Sequence, residues 1–233
     1  MLEQQEIHSN HLSASRIVWI DRVRKGQVEH CFIFLDAEIY LNKVQAAQKM
    51  QSLQSTGRLP PTDCVYVSSL DAAARHRDYA CNEKYTRFLV DELVPWIEIN
   101  VGNHKQYWLC GLSLSGLCAA FTTLRHPKVF SGAICQSPSA WWQEEWLTKS
   151  LTTEMAWQSR FWISVGNQEL ESGVAHPPTG LFQGTCQLDS CRRLAEKMAA
   201  TGHNLHFSEY EGGHDTQCWA AELNEAVCWL CTT

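Results

Sequence analysis

Gly111-Leu112-Ser113-Leu114-Ser115-Gly116 follows directly on the apolar run Tyr107-Trp108-Leu109-Cys110. A hydrophobic strand that stops at Gly-x-Ser-x-small and restarts as a helix places a serine on a sharp turn. The chemistry of such a serine is nucleophilic. Its hydroxyl attacks poorly at neutral pH without an adjacent base, and the N–H of the next residue, Leu114, can face a developing oxyanion. The usual pattern has glycine at the fifth position. Here Ser115 stands there and Gly116 follows it. A Ser/Gly-rich turn with no chemistry would look the same locally, so the partners must decide.

The candidate base is His214, in Glu211-Gly212-Gly213-His214-Asp215. This segment follows the strand-like run 204–210, and two glycines let the loop turn the imidazole inward. The other nine histidines lack that context; His203 and His206 read as surface or packing residues. The chain order Ser, acid, His points to the interval between the runs 161–165 and 204–210. That interval opens with Gly166-Asn167-Gln168-Glu169-Leu170-Glu171. Glu169 is the first choice for the acid that orients His214 and Glu171 the second; Asp189 reads as a helix cap. A second oxyanion donor is expected from the turn Asp36-Ala37-Glu38-Ile39, through the N–H of Ala37 or Glu38.

These residues need a scaffold. Apolar runs at 16–21, 29–35, 64–68, 106–110, 132–136, 161–165 and 204–210 read as strands, and most are continuous, as in strands covered on both faces. Helices are expected at 43–54, 82–100, 115–123, 189–201 and 215–230. The alternation predicts an α/β fold with a mostly parallel central sheet flanked by helices on both faces. Working residues then lie at the carboxyl ends of strands. Trp141, Trp142 and Trp146 follow one such strand and could line a substrate pocket; Trp157 and Trp162 are expected in the core.

At 233 residues the chain suits one sizeable domain, taken here as 1–233, and shows no repeat or long linker. A net charge of −6 argues against nucleic acid or an anionic membrane as partner. There is no membrane-spanning run and no signal pattern at the start. Eleven cysteines, an odd count, fit a reducing cytoplasm better than a disulfide framework. Cys228 and Cys231 form a C-x-x-C without a second pair, so no metal site is expected.

Taken in order, these segments resemble the esterase branch of the α/β-hydrolase superfamily, which includes enterochelin esterase-like and esterase D-like enzymes. The resemblance runs from about Val18 to Trp219. It rests on Phe32-Ile33-Phe34-Leu35-Asp36, where the family has Leu-Asp-Gly and Ala37 replaces the glycine, and on Gly57-Arg58-Leu59-Pro60-Pro61. It rests also on Arg77-Asp78-Tyr79, on Asp91-Glu92-Leu93-Val94-Pro95-Trp96-Ile97, on Gln136-Ser137-Pro138-Ser139-Ala140-Trp141-Trp142, and on Gly212-Gly213-His214-Asp215 with Trp219.

The resemblance implies an α/β-hydrolase fold with a short or absent lid, Ser113 as nucleophile, His214 as base and Arg77 steering a substrate. The function expected is a serine carboxylesterase-type hydrolase working through an acyl-enzyme on a small-molecule ester, siderophore-esterase-like, with no cofactor. An acyltransferase, or a non-catalytic binding protein on the same scaffold, is the alternative. Enterochelin esterases often carry an added N-terminal domain that this chain lacks, so a bulky anionic ferric triscatecholate is not favoured.

Overall fold

The computed structural model describes residues 2–23, 28–152, 157–177 and 179–232. An antiparallel pair, β1 (Glu3–Ser9) and β2 (Ala14–Asp21), opens the chain. β3 (His30–Leu35) leads into the short helices α1 (Ala37–Asn42) and α2 (Ala46–Ser55) and then β4 (Thr62–Val67). Next come α3 (Ala72–Tyr79), α4 (Glu83–Arg87), a π-helical segment Phe88–Leu93, α5 (Val94–Asn100) and β5 (Gln106–Leu112). The second half runs α6 (Leu114–Arg125), β6 (Phe130–Gln136), α7 (Trp142–Ser150) and β7 (Arg160–Gly166). A small hairpin, β8 (Val174–His176) and β9 (Leu181–Gln183), precedes α8 (Gln187–Ala200), β10 (Asn204–Tyr210) and α9 (Thr216–Cys231).

Eight strands form one sheet in the order β1-β2-β4-β3-β5-β6-β7-β10. From β4 to β10 every pairing is parallel, and β1 and β2 add an antiparallel edge. The continuous apolar runs are explained by burial on both faces. Along β3, Cys31, Ile33 and Leu35 join the core under α6, while Phe32 and Phe34 face the core under α2 and α9. β5 divides the same way, with Tyr107 and Leu109 on one side and Trp108, Cys110 and Leu112 on the other. The chain reverses its winding between β3 and β5, because β4 lies on one side of β3 and β5, β6, β7 and β10 lie on the other. Open α/β sheets bind ligands in the crevice at such a switch point. Asp36-Ala37 leaves β3 there, and Ser113 leaves β5.

The α/β architecture and the mostly parallel sheet agree with expectation. β1 was not expected, since Glu3–Ser9 is polar and buries only Ile7 and Ser9. Nor were α1, α3 and α7: each is under ten residues, too short to show a clear apolar period. The region 82–100 is helical but broken. Pro95 has no N–H to give the carbonyl four residues back, and Val94 N–H instead reaches Leu89 O, so one π turn intervenes. Two smaller expectations are corrected. Cys186, and not Asp189, caps α8: its Sγ accepts from Asp189 N–H at 3.5 Å. Trp162 is buried, but Trp157 is half exposed.

Candidate active site

Ser113 is the junction between β5 and α6, and its backbone sits at φ 55°, ψ −121°. Few non-glycine residues occupy that region, and the cost is borne by the surrounding bonds. Ser113 N–H donates to Gln136 O at 2.8 Å, and Ser113 O accepts from Ser139 N–H at 3.0 Å and Leu117 N–H at 3.1 Å. Gly111 is required for the turn, because a Cβ there would collide with the Ser115 carbonyl. The departure at the fifth position has a local explanation. Ser115 is fully buried; its Oγ accepts from Leu112 N–H at 2.9 Å and donates to Leu112 O at 2.8 Å. The hydroxyl thus ties the first turn of α6 back to the end of β5.

His214 and Glu169 are brought together by two adjacent loops. The loop after β7 bonds to the loop after β10 through Asn167 N–H to Tyr210 O and Gln168 N–H to Gly212 O, both 2.9 Å. Gly166 permits this, since a Cβ there would strike the Gly212 carbonyl. His214 Nδ1 then lies 2.6 Å from Glu169 Oε2. The other oxygen, Oε1, accepts from Ser137 Oγ at 2.7 Å, Gly166 N–H at 2.8 Å and Tyr210 Oη at 3.1 Å. Trp219 Nε1 donates to Tyr210 Oη at 3.0 Å, and its ring stands edge-on to the His214 ring, 4.9 Å between centroids. Burial works against the Glu169 anion. The bond and charge of His214, then Ser137 and Gly166, outweigh it and hold the carboxyl below its usual range.

Nδ1 is committed to the carboxylate, so Nε2 is the nitrogen available for proton transfer. Ser113, Glu169 and His214 line one cavity of about 340 Å³. No hydrogen bond joins Ser113 Oγ to His214 among the described residues; contacts of this kind commonly tighten only when substrate is seated. Leu114 and Ala37 open α6 and α1, and neither N–H has a hydrogen-bond partner among the described residues, as first-turn amides lack one within their helix. Asp36 holds the Ala37 turn in place: its carboxylate takes Arg75 Nε at 2.8 Å, and its N–H donates to Tyr79 Oη at 3.1 Å.

Other expected residues divide. Trp141 lines the cavity and stacks on the His176 ring, 5.1 Å between centroids and 8° from parallel. Trp142 does not line it; its side chain packs against the core and meets the Trp146 ring at 86°. Arg77 does not line it either: its side chain is 59% exposed and pairs with Asp78 Oδ1 at 3.0 Å. Two successive tryptophans on a chain entering a helix cannot share one direction, and Arg77 lies on the exposed face of α3, held to its own neighbour Asp78. Glu171 lines the cavity without bonding to His214, so the first choice, Glu169, is the carboxylate beside the imidazole. Sequence reasoning missed Ser139, Gln168, His176, Gln183 and Gln187 in the lining. Only Ser139 carried a signal, within Gln136-Ser137-Pro138-Ser139.

The family profile described as "Putative esterase" matches residues 19–230. The chain belongs to this esterase family. A protein of Dickeya dadantii named iron(III) enterobactin esterase is 25% identical over 96% of this chain and 53% of its own length. The Escherichia coli K12 protein of the same name is 24% identical over 94% of this chain and 54% of its own. The chain therefore spans about half the length of the curated relatives it matches. Among solved structures, the enterobactin esterase from Shigella flexneri superposes with a TM-score of 0.85 at 22% identity, over 99% of this chain and 59% of the other. The BES protein from Bacillus cereus superposes at 0.80 with 16% identity, over 100% and 96%. These likenesses establish the α/β fold. No helix among the described residues is long and apolar enough to cross a membrane.

Proposed function

We propose that this esterase-family chain is a serine carboxylesterase working through an acyl-enzyme, with Ser113 as nucleophile, His214 as general base and Glu169 as the acid that orients it. The observation that carries the reading is the 2.6 Å His214–Glu169 contact in the wall of the cavity that Ser113 enters from its positive-φ turn. Ser113 Oγ attacks the ester carbonyl carbon, and its proton passes to His214 Nε2. The oxyanion is met by the free N–H groups of Leu114 and Ala37. Collapse breaks the C–O bond, the leaving alkoxide takes the proton from His214, and water repeats the sequence on the acyl-enzyme. Side chains and backbone amides carry every step.

The relatives' names support a siderophore-type ester as the substrate class to test first. Eleven free cysteines, seven of them buried, support a reducing cytoplasm, with thiols packed as apolar groups. The test is labelling with a fluorophosphonate and hydrolysis of p-nitrophenyl butyrate and metal-free enterobactin. Ser113→Ala is expected to abolish labelling and to lower kcat by about 10³-fold or more. Undiminished hydrolysis by that variant overturns the assignment.

A further inference from the structure

The cavity beside Ser113 has an uneven charge inventory. Two carboxylates line it, Glu169 and Glu171, and no Lys or Arg does among the described residues. Glu169 is held ionised by its partners. Among the described residues the Glu171 carboxylate makes no hydrogen bond or ion pair, while its backbone carbonyl accepts from Gln183 Nε2 at 2.9 Å. The two arginines on α8 are committed elsewhere. Arg193 grips Glu145 with two 2.8 Å bonds, and Arg192 grips Glu209 at 2.7 and 2.8 Å. Apart from the imidazoles of His176 and His214, the remaining wall carries no ionisable side chain: it presents hydroxyls, the amides of Gln168, Gln183 and Gln187, and the Trp141 ring stacked on His176.

We propose that this cleft selects its ester by charge, accepting uncharged and cationic esters and turning away anionic ones, with Glu171 setting the preference. The proposal rests on the reading of Ser113 and His214 as an ester-hydrolysing pair. An anionic acyl or alcohol group entering here loses water and meets two carboxylates, one of them unpaired, with no lysine or arginine in the lining to receive it. Exclusion by an unpaired like charge is a recognised way to build specificity. The glutamine amides and the edges of the Trp141–His176 stack can hold an uncharged group, and a cation gains from Glu171. For a siderophore-type ester this favours the metal-free form over an anionic ferric chelate.

Three p-nitrophenyl esters of similar length test it: the butyrate, the hemiglutarate monoanion and the 4-trimethylammoniobutyrate. They are compared at pH 8, above the ordinary imidazole range, and at low salt, with rates corrected for uncatalysed hydrolysis. The expected kcat/KM for the anion is about tenfold or more below that for the butyrate, a difference that shrinks as salt screens it. Glu171→Gln is expected to narrow the gap to within about threefold, and Glu171→Arg to reverse it. Binding of the matching p-nitroanilides to Ser113→Ala protein reads the same preference without turnover. Equal kcat/KM for anion and butyrate, an unchanged ratio in Glu171→Gln, or equal anilide affinities overturns the proposal. Charge-ordered anilide binding with no turnover by the wild-type chain instead overturns the esterase reading alone.

Discussion

Glu169 presents one oxygen to His214 and receives three donors on the other, and each of those donors favours its ionised form. Ser137 is the most exacting of them. It holds φ 43° while its Oγ donates to Glu169 and accepts from Trp219 Nε1 at 3.2 Å. A hydrogen bond to a charged group contributes about 1.5–3 kcal/mol, and Tyr210 can take over part of it. Ser137→Ala is therefore expected to lower kcat by about tenfold with KM unchanged. Removing a donor raises the Glu169 pKa toward its usual range, so the acid limb of the kcat profile should move to higher pH. A superimposable profile would show that Ser137 only fills space.

The elbow between β5 and α6 depends on two small residues for different reasons. Gly111 lets the Ser115 carbonyl pass over the strand, and Ser115 then bonds both backbone groups of Leu112. Replacing Ser115 by glycine would restore the commoner motif and remove both bonds. The expected outcome is hydrolysis within a few-fold of wild type, because the Leu114 N–H and the Ser113 backbone stay in place, together with a stability loss of about 1–2 kcal/mol. Urea denaturation checks the second part and steady-state kinetics the first. A large fall in kcat with unchanged stability would place Ser115 in the reaction instead of the scaffold.

For the folded chain as a whole, burial creates two opposing responses to pH. Desolvation holds His30, His126, His203 and His206 below the ordinary imidazole value. The unfolded chain therefore binds their protons first as pH falls through about 6.5, and stability declines on that side. Glu222 on α9 behaves oppositely. Burial raises its carboxyl to about 7 despite donors from Ser164 Oγ at 2.6 Å and Gln136 Nε2 at 2.7 Å. Its folded state keeps the proton longer, so its contribution is intact well below the folded value and is lost as pH rises through about 7. Glu222→Gln should raise Tm at pH 8 by a few degrees and leave it unchanged near pH 4.5. Equal shifts at both values in thermal denaturation would mean that the carboxyl does not titrate in the fold.

The turn at Ser113, the parallel strands and the pair of glycines before His214 were legible because each depends on neighbours in sequence. A both-faced strand needs a continuous apolar run, and a tight elbow needs small residues beside it. The polar β1 and the short α1, α3 and α7 lacked that local period. The site divides along the same line. Ser113, His214 and Glu169, ranked ahead of Glu171, could be read from the chain, whereas the contact that joins Glu169 to His214 could not. That contact comes from the parallel pairing of β7 with β10, which sets residues 45 apart in sequence side by side. The same long-range packing sent Trp141 into the cleft, turned Trp142 to the core and left Arg77 outside. It also gathered Gln168, Gln183 and Gln187 into the cavity that Ser113 lines. Which way a side chain faces across a cavity is set by how distant strands and helices pack, and no local pattern encodes it.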